Sequence, residues 1–158
     1  MGNSNIIELD KVVIKFAGDS GDGMQLTGSQ FTETSALFGN DVATFPDFPA
    51  EIRAPQGTVA GVSGFQVHIG RIEINTPGDA ADVLIAMNPA ALKSNLGFLD
   101  AGKTIIIDID TFKKKDLDKA GFDSNPLEDG SMDGFSVIQA PISSMTRESV
   151  LDVGLDNK

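Results

Sequence analysis

One stretch decides the predicted fold: Val12-Val13-Ile14-Lys15-Phe16-Ala17-Gly18-Asp19-Ser20-Gly21-Asp22-Gly23-Met24. Its first half has the length and apolar character of a strand buried on both faces. Its second half is rich in glycine, which readily adopts the positive φ angles of tight turns. Asp22 is predicted to be the N-cap of a helix that begins near Gly23, with Gln25 at the position of a capping-box partner. This order places free N–H groups at the carboxyl end of a strand, where α/β proteins commonly bind ligands.

The spacing of the glycines argues against two well-known phosphate-binding loops. Gly18, Gly21 and Gly23 form G-x-x-G-x-G, whereas the dinucleotide fingerprint is G-x-G-x-x-G, and no Lys-Ser or Lys-Thr pair follows as in a P-loop. Asp19 and Asp22 add negative charge, which opposes a bound phosphate unless Asp22 is occupied by capping. A tight strand-to-helix connection without any ligand therefore remains the alternative.

The composition is that of one globular domain with excess negative charge. The 158 residues are 41% hydrophobic and 22% charged, which is enough for a core that buries roughly 70% of the extended-chain surface. The net charge of −11 disfavours nucleic acid and anionic membranes as partners, because both attract clustered Lys and Arg. Its simplest interpretation is solubility.

Cysteine and histidine are scarce, and this limits the chemistry of the chain itself. There is no cysteine and one histidine, His68, so thiolate ligation of an iron–sulfur cluster, a disulfide framework, a cysteine nucleophile and a multi-histidine zinc site are excluded within this chain. No apolar run reaches the roughly 18–20 residues of a membrane span, and the N-terminus lacks a signal-peptide pattern. A cytoplasmic location is therefore expected.

Strands and helices are predicted to alternate along the chain. The predicted elements are a polar lead-in over 1–10, a strand over 11–17, a helix to about Phe38, a strand at Val42–Phe45, a proline-rich loop to Gly57, a half-buried strand at Phe65–Ile69, a hairpin partner at Ile72–Ile74, a strand at Asp82–Met87, a helix from Asn88-Pro89 to Asp100, a strand at Lys103–Asp108, a short helix from Lys113, a loop over 121–134, a strand at Ser136–Ala140 and a helix near Ser144.

This alternation predicts an α/β fold. The sheet is expected to be mostly parallel with helices on both faces, a Rossmann-like three-layer domain with an antiparallel hairpin. Residues 11–158 would form this single domain. The apolar residues near the end of the chain, within 150–158, have nothing after them to pack against. They indicate that the domain was truncated from a longer chain.

Two loops beyond the glycine turn carry polar residues of interest. Glu51 and Arg53 stand two apart in the proline-rich loop, and Asn88 is predicted to cap a helix with Pro89 at its first position. An ordinary surface ion pair is the alternative for Glu51 and Arg53. If the strands before the glycine turn and before Asn88 are neighbours, both loops line one crevice.

Polar residues elsewhere are expected to be structural. His68 lies on the polar side of the alternating strand and is expected to be solvated or hydrogen-bonded rather than catalytic. The basic run Lys113-Lys114-Lys115 is expected to be a solvated helix face rather than a binding patch.

Three segments of the chain stand out together. They are the opening strand with Gly18-Asp19-Ser20-Gly21-Asp22-Gly23, then Phe45-Pro46-Asp47-Phe48-Pro49-Ala50-Glu51-Ile52-Arg53-Ala54-Pro55-Gln56-Gly57, and Asp82-Val83-Leu84-Ile85-Ala86-Met87. These segments resemble the gamma-type domain of the 2-oxoacid:ferredoxin oxidoreductases, and the resemblance covers about residues 11 to 155. Many stand-alone gamma subunits carry a further glycine where this chain has Ser20, and Arg-Gly-Gly where it has Arg53-Ala54-Pro55. In both places the chain is more similar to the version fused to the front of the alpha subunit in 2-oxoglutarate-type enzymes.

The resemblance implies a non-catalytic domain of a multisubunit enzyme that oxidatively decarboxylates a 2-oxoacid, here 2-oxoglutarate, with coenzyme A. The products would be acyl-CoA, carbon dioxide and reduced ferredoxin. Thiamine diphosphate, Mg²⁺ and the iron–sulfur cluster would be held by partner domains of alpha and beta type, which agrees with the lack of cysteine here.

The same resemblance places this domain near the coenzyme A side of the assembly. Arg53 is the best single cation for a phosphate or an interdomain carboxylate, because a guanidinium binds either in bidentate fashion. No catalytic residue and no metal ligand is assigned. The candidates for coenzyme A contact or docking are Gly18, Asp19, Ser20, Gly21, Asp22, Gly23, Glu51, Arg53 and Asn88.

Two other functions stay open. A free-standing nucleotide-binding module would bind a nucleotide or coenzyme A by itself, although the acidic loop argues against tight affinity. A purely structural interaction domain would lose assembly or stability on substitution of Arg53 or Gly21, without any change in the Michaelis constant for coenzyme A.

Overall fold

The computed structural model describes residues 8–48 and 61–151 of the chain. Six strands form one sheet in the order β2-β3-β1-β4-β5-β6. The elements are β1 (Lys11–Asp19), α1 (Met24–Leu37), β2 (Asp41–Asp47), β3 (Val62–Gly70), β4 (Ala81–Ala86), α2 (Pro89–Asn95), a 3-10 turn at Leu96–Phe98, β5 (Leu99–Asp108), a second 3-10 turn at Ile109–Thr111, α3 (Lys114–Lys119), β6 (Ser136–Ala140) and α4 (Ile142–Val150).

Five of the six strands run in the same direction, which confirms the predicted mostly parallel α/β fold. β1, β4, β5 and β6 are parallel neighbours, whereas β3 is antiparallel to both β1 and β2. The antiparallel hairpin is therefore β2–β3. The predicted partner Ile72–Ile74 is wrong, because both edges of β3 are already paired; Ile74 instead donates its N–H to Asp41 Oδ2 at 2.7 Å.

Helices cover both faces of the sheet, each over its own apolar cluster. α2 and α3 pack on one face, where Leu84, Ile105 and Ile107 are fully buried. α1 packs on the other face, over Phe16, Phe65, Val67 and Ile69. Full burial of each such side chain contributes roughly 1.5–3 kcal/mol, so the paired layers stabilise the sheet. The side chains of β1 that face α2 and α3 are Val13 and Ala17.

β3 is buried on both faces, which corrects the prediction of a half-buried strand. Its polar side is covered by the turn over 76–78, because Gln66 Nε2 donates to the carbonyls of Pro77 at 2.9 Å and Gly78 at 2.6 Å. His68 Nδ1 lies 2.7 Å from the Thr76 carbonyl. The expectation that His68 is hydrogen-bonded is thus confirmed, in a buried rather than a solvated setting.

Other boundaries differ from the prediction for local reasons. β2 continues through Pro46 to Asp47, which an edge strand allows because a missing N–H can face away from the sheet. β5 begins at Leu99 rather than Lys103, and α4 at Ile142 rather than near Ser144. Within the described ranges, no helix has the length and apolar character needed to cross a membrane.

Candidate functional site

The turn between β1 and α1 is closed by two aspartates. Asp22 Oδ2 accepts a hydrogen bond from the Asp19 N–H at 2.8 Å, and the Asp22 N–H donates to the Asp19 carbonyl at 3.0 Å. The predicted N-cap at Asp22 is therefore wrong. Gly23 occupies that position with φ of 72°, and no described side chain caps the helix. The left-handed backbone that only glycine adopts readily sets the entry angle of α1 instead.

Gln25 does not act as a capping-box partner either. Its Nε2 donates to the Gly64 carbonyl at 2.7 Å and to Ser63 Oγ at 3.2 Å, with a longer contact of 3.4 Å to the Asp47 carbonyl. The first turn of α1 is thereby tied to the ends of β2 and β3. The sequence carries no local signal for these contacts, because the partners lie 22 to 39 positions away.

The glycines of the turn differ in what they demand. A Cβ on Gly18 would stand 2.7 Å from Asp22 Oδ2 and 3.2 Å from Met24 Cγ, so a side chain there would force the Asp22 carboxylate to move. A Cβ on Gly21 would meet no described atom within 4 Å, and Gly21 does not have a positive φ. Packing inside the described part of the domain thus explains Gly18 but leaves Gly21 open to contact from outside.

Asn88 joins the second turn to the first. Its Oδ1 accepts from the Ala91 N–H at 2.8 Å as the N-cap of α2, with Pro89 in the first turn, as the sequence predicts. Its Nδ2 donates to Asp19 Oδ1 at 2.9 Å. The two turns meet because β1 and β4 are adjacent and parallel. The predicted common edge is confirmed, and the role of these residues as a binding site stays a prediction.

Glu51 and Arg53 lie outside the described residues. Their place relative to the glycine turn and Asn88 stays a prediction.

A cavity of about 820 Å³ opens beside the two turns, at the carboxyl ends of the parallel strands. Its far wall comes from the 3-10 turn after β5, from α3 and from the start of α4, and no sequence pattern predicted this wall. Four lysines and five aspartates line it, so its charge is nearly balanced. Lys113 and Lys115, predicted as part of a solvated face, belong to this lining.

We use the term rim for the edge of this cavity formed by the two joined turns, residues 18–23 and Asn88. Two groups at or beside the rim, Asp22 and Thr111, have their pKa or their hydrogen bonds set by neighbouring backbone. Desolvation by the packed turn raises the pKa of Asp22, against the lowering effect of the Asp19 N–H, although the residue as a whole stays accessible from the rim. Thr111 Oγ1 lies 2.7 Å from the Met87 carbonyl and 2.9 Å from the Asp108 carbonyl, which links the ends of β4 and β5. In the described part of the chain, no cluster of three His, Asp or Glu side chains is arranged to hold a metal ion.

Lys15 is a buried charge that the sequence patterns did not predict, although the lysine stands inside an otherwise apolar strand. Lys15 is 5% exposed, and its Nζ lies 3.6 Å from Asp47 Oδ2 and 4.3 Å from the centre of the Phe98 ring. These contacts hold the ammonium group between β2 and the 3-10 turn after α2.

The fold and the joined turns define a class: an α/β domain with polar loops at the carboxyl ends of neighbouring parallel strands. Residues 13–157 match the family described as pyruvate ferredoxin/flavodoxin oxidoreductase, and the chain belongs to that family. It is 53% identical over 150 residues to the 2-oxoglutarate oxidoreductase subunit KorA of Mycobacterium tuberculosis. That match covers 95% of this chain and 23% of the relative, so the chain spans less than a quarter of that subunit.

Solved structures show the same fold. A 2-oxoglutarate:ferredoxin oxidoreductase from Magnetococcus marinus, with 2-oxoglutarate, coenzyme A and succinyl-CoA bound, superposes with a TM-score of 0.68 and 27% identity over 89% of this chain and 22% of that one. The gamma subunit of a keto/oxoacid ferredoxin oxidoreductase from Geobacter sulfurreducens gives 0.63 and 18%, over 89% of this chain and 66% of that one. Pyruvate oxidoreductase subunit PORC from Thermotoga maritima gives 0.60 and 13%, over 90% and 68%.

Proposed function

We propose that this chain is the gamma-type domain of a 2-oxoglutarate:ferredoxin oxidoreductase and serves it as a non-catalytic domain on the coenzyme A side. The complete enzyme would convert 2-oxoglutarate and coenzyme A to succinyl-CoA and carbon dioxide, passing two electrons to ferredoxin. The observation that carries the proposal is the 53% identity to the 2-oxoglutarate oxidoreductase subunit over 95% of the chain.

The chemistry of the rim supports a binding role rather than a catalytic one. Asp19, Asp22 and Asn88 are engaged with one another and with backbone groups, and the one histidine, His68, is buried against a carbonyl. The chain has no cysteine to ligate an iron–sulfur cluster. We therefore assign thiamine diphosphate, its Mg²⁺ and the cluster to partner domains of alpha and beta type.

Gly21 is the residue at which the coenzyme A role is most directly testable. It lies exposed on the turn with free space around its Cβ position. A ligand or a partner backbone can therefore approach closely there, as at other glycine turns that receive phosphates or main chain. Gly97, in the 3-10 turn after α2, has equal space among the described residues and lies away from the rim, so it is a matched control.

The test compares Gly21→Ser and Gly97→Ser in the complete enzyme with its partners. We expect Gly21→Ser to raise the Michaelis constant for coenzyme A at least threefold or to weaken assembly with the partner subunits, with the melting temperature unchanged. Gly97→Ser should match the unaltered enzyme in each measurement. If Gly21→Ser changes neither quantity, the rim has no role in coenzyme A contact or docking.

The substrate is tested separately. We expect ferredoxin reduction by the complete enzyme to require both 2-oxoglutarate and coenzyme A, and to be slower with pyruvate. An enzyme that prefers pyruvate would contradict the substrate assignment. Binding of coenzyme A or a nucleotide by the 158-residue chain alone, measured by calorimetry, would support the stand-alone module instead.

A further inference from the structure

The α1 side of the sheet carries an apolar row that is covered at one end only. Phe16, Ile85, Ile106 and Ile138 are register partners across β1, β4, β5 and β6, so their side chains stand in line on one face. Phe16 is 5% exposed beneath α1, Ile85 and Ile106 are half-buried, and Ile138 is 49% exposed. We use the term open face for Val83, Ile85, Ile106 and Ile138.

The width of the sheet leaves room for one more helix on this side. Six strands about 4.8 Å apart make a sheet roughly 24 Å wide, which accommodates at least two helices packed 8–10 Å apart. The opposite face has two, α2 and α3. On the α1 side, the main contacts of α1 are with β1, β2 and β3, and α4 contacts β5, to which its first turn is hydrogen-bonded at Asp108.

α4 borders the open face without covering it. Asp108 points to the same side as Ile106, two residues before it, and its Oδ2 accepts from the Ser143 N–H at 3.3 Å. α4 therefore starts on this side, at the carboxyl end of β5. None of its residues is buried, and Met145 is 59% exposed. On the other border, Phe31 of α1 stands 5.5 Å from Phe16, ring centre to ring centre, and is 37% exposed.

These features together describe a groove with an apolar sheet floor, bordered by Phe31 of α1 on one side and by the start of α4 on the other. A parallel sheet normally has helices on both faces, and contiguous apolar surface on a folded domain marks a docking site. A second copy of this chain is a poor occupant, because each copy carries a net charge of −11. The family offers another source: this chain spans 23% of one relative and 22% of another, so three quarters of those polypeptides lie outside the matched part.

We propose that the open face binds one amphipathic helix contributed by the remainder of the oxidoreductase polypeptide. The helix lies between α1 and α4, with apolar side chains at i, i+3, i+4 and i+7 against Ile85, Ile106 and Ile138. This inference rests on the proposed function, since it takes the chain to be one domain of that larger enzyme.

The test uses the complete enzyme with a single cysteine introduced into this cysteine-free domain. Ile138→Cys probes the open face, and Ile72→Cys is the matched control, since Ile72 is 51% exposed and Ile138 49%. The rate of maleimide labelling at each introduced cysteine is measured by mass spectrometry of the tryptic peptide that contains it. Each rate is divided by the rate for the same enzyme unfolded in guanidinium. We expect labelling at position 138 to be at least tenfold slower than at position 72. Rates within twofold of each other would overturn the proposal.

A photo-crosslinking amino acid at position 138 identifies the occupant. A crosslink to a peptide outside residues 1–158 supports the proposal, and a crosslink to a peptide within them overturns it. The outcomes separate this inference from the proposed function. An active enzyme with position 138 freely labelled refutes the docking face alone, and a protected position in an enzyme without 2-oxoglutarate activity refutes the proposed function alone.

Discussion

At the residue scale, the rim depends on close contacts between short polar side chains and glycine. Asp22 folds back onto the Asp19 N–H, and Asn88 spans from the cap of α2 to Asp19. The Asp22 bond closes the β1–α1 turn on itself, and the Asn88 bond fixes the position of that turn relative to the next one. Glycine is favoured at position 18 because the Asp22 carboxylate lies where a Cβ would stand. The geometry of the rim thus depends on one glycine and is indifferent to another, Gly21.

We expect Gly18→Ala to destabilise the protein by about 1–3 kcal/mol, because its Cβ would lie 2.7 Å from Asp22 Oδ2 and the turn must shift. Gly21→Ala is the matched control and should change the free energy of unfolding by less than about 0.5 kcal/mol. Urea unfolding of the two variants measures both values. Equal effects would mean that the close approach at Gly18 does not limit the turn.

At the element scale, each helix is positioned by contacts from distant strands more than by its own sequence. α1 buries only Met24 and Gly28, and lies close to β3 because Gly28 leaves room for the Phe65 ring. α4 has no described side-chain cap on its first residue and takes its N–H partners from Asp108 and Asp110 after β5. The packing of α1 on Phe65 and the attachment of α4 to the two aspartates can each be tested by substitution.

Gly28→Ala sets helix propensity against packing. Alanine in a helix is favoured over glycine by about 1 kcal/mol, but a Cβ at this position would lie 2.2 Å from Phe65 Cδ1. Overpacking of a buried contact costs typically 1–3 kcal/mol, so we expect net destabilisation of up to about 2 kcal/mol. Ser29→Ala, on the exposed side of the same helix, should be neutral or slightly stabilising. A stabilised Gly28→Ala, measured by thermal unfolding, would contradict this packing.

Asp110 makes the attachment of α4 sensitive to acid. Hydrogen bonding by Ser144, through its hydroxyl and through its N–H at 2.7 Å, lowers the pKa of Asp110. A lowered folded-state pKa means that the contribution to stability is complete above the ordinary pKa of aspartate and is lost as the pH falls through the folded value. We expect the protection factors of the amides in α4, which are exchange rates corrected for the intrinsic effect of pH, to fall in that acidic range.

Asp110→Asn is the control for this prediction. Asparagine keeps an acceptor oxygen but does not titrate. The protection factors of the α4 amides in this variant should therefore be lower than in the unaltered protein at neutral pH, and should change less as the pH falls. An unaltered protein whose α4 exchange tracks the variant at every pH would show that the carboxylate does not hold the helix.

At the scale of the whole molecule, the two faces of the sheet are unequal. One face is closed by α2 and α3, whereas the other is closed over β1, β2 and β3 and apolar but accessible over β4, β5 and β6. The carboxyl edge carries the joined turns and a cavity of nearly balanced charge. The surface proposed for helix docking and the edge proposed for coenzyme A contact or docking therefore lie on different parts of the domain.

Local sequence patterns were enough to predict the alternation of strands and helices and the cap at Asn88. Apolar runs, glycine turns and the Asn-Pro signal act over a few residues, and they place β4, β6 and the start of α2 within one position of the structure. The predicted end of that helix at Asp100 is wrong, because α2 ends at Asn95 and β5 already begins at Leu99. The sequence also predicted that the two turns share one edge on the condition that β1 and β4 are neighbours, and the two strands are paired in the sheet.

Which strands pair, and which groups the polar side chains bond, could be read from the folded arrangement alone. Whether β3 is half-buried or central depends on which strands pair with it, and β1 and β2 lie some 20 to 60 positions away in its register. Asp22 and Gln25 carried sound capping signals, yet Asp22 bonds within the turn, Gln25 bonds to β3, and Gly23, which has no side chain, stands at the N-cap position. Local propensity specifies elements, but the free energy that selects among their arrangements comes from long-range burial and hydrogen bonding.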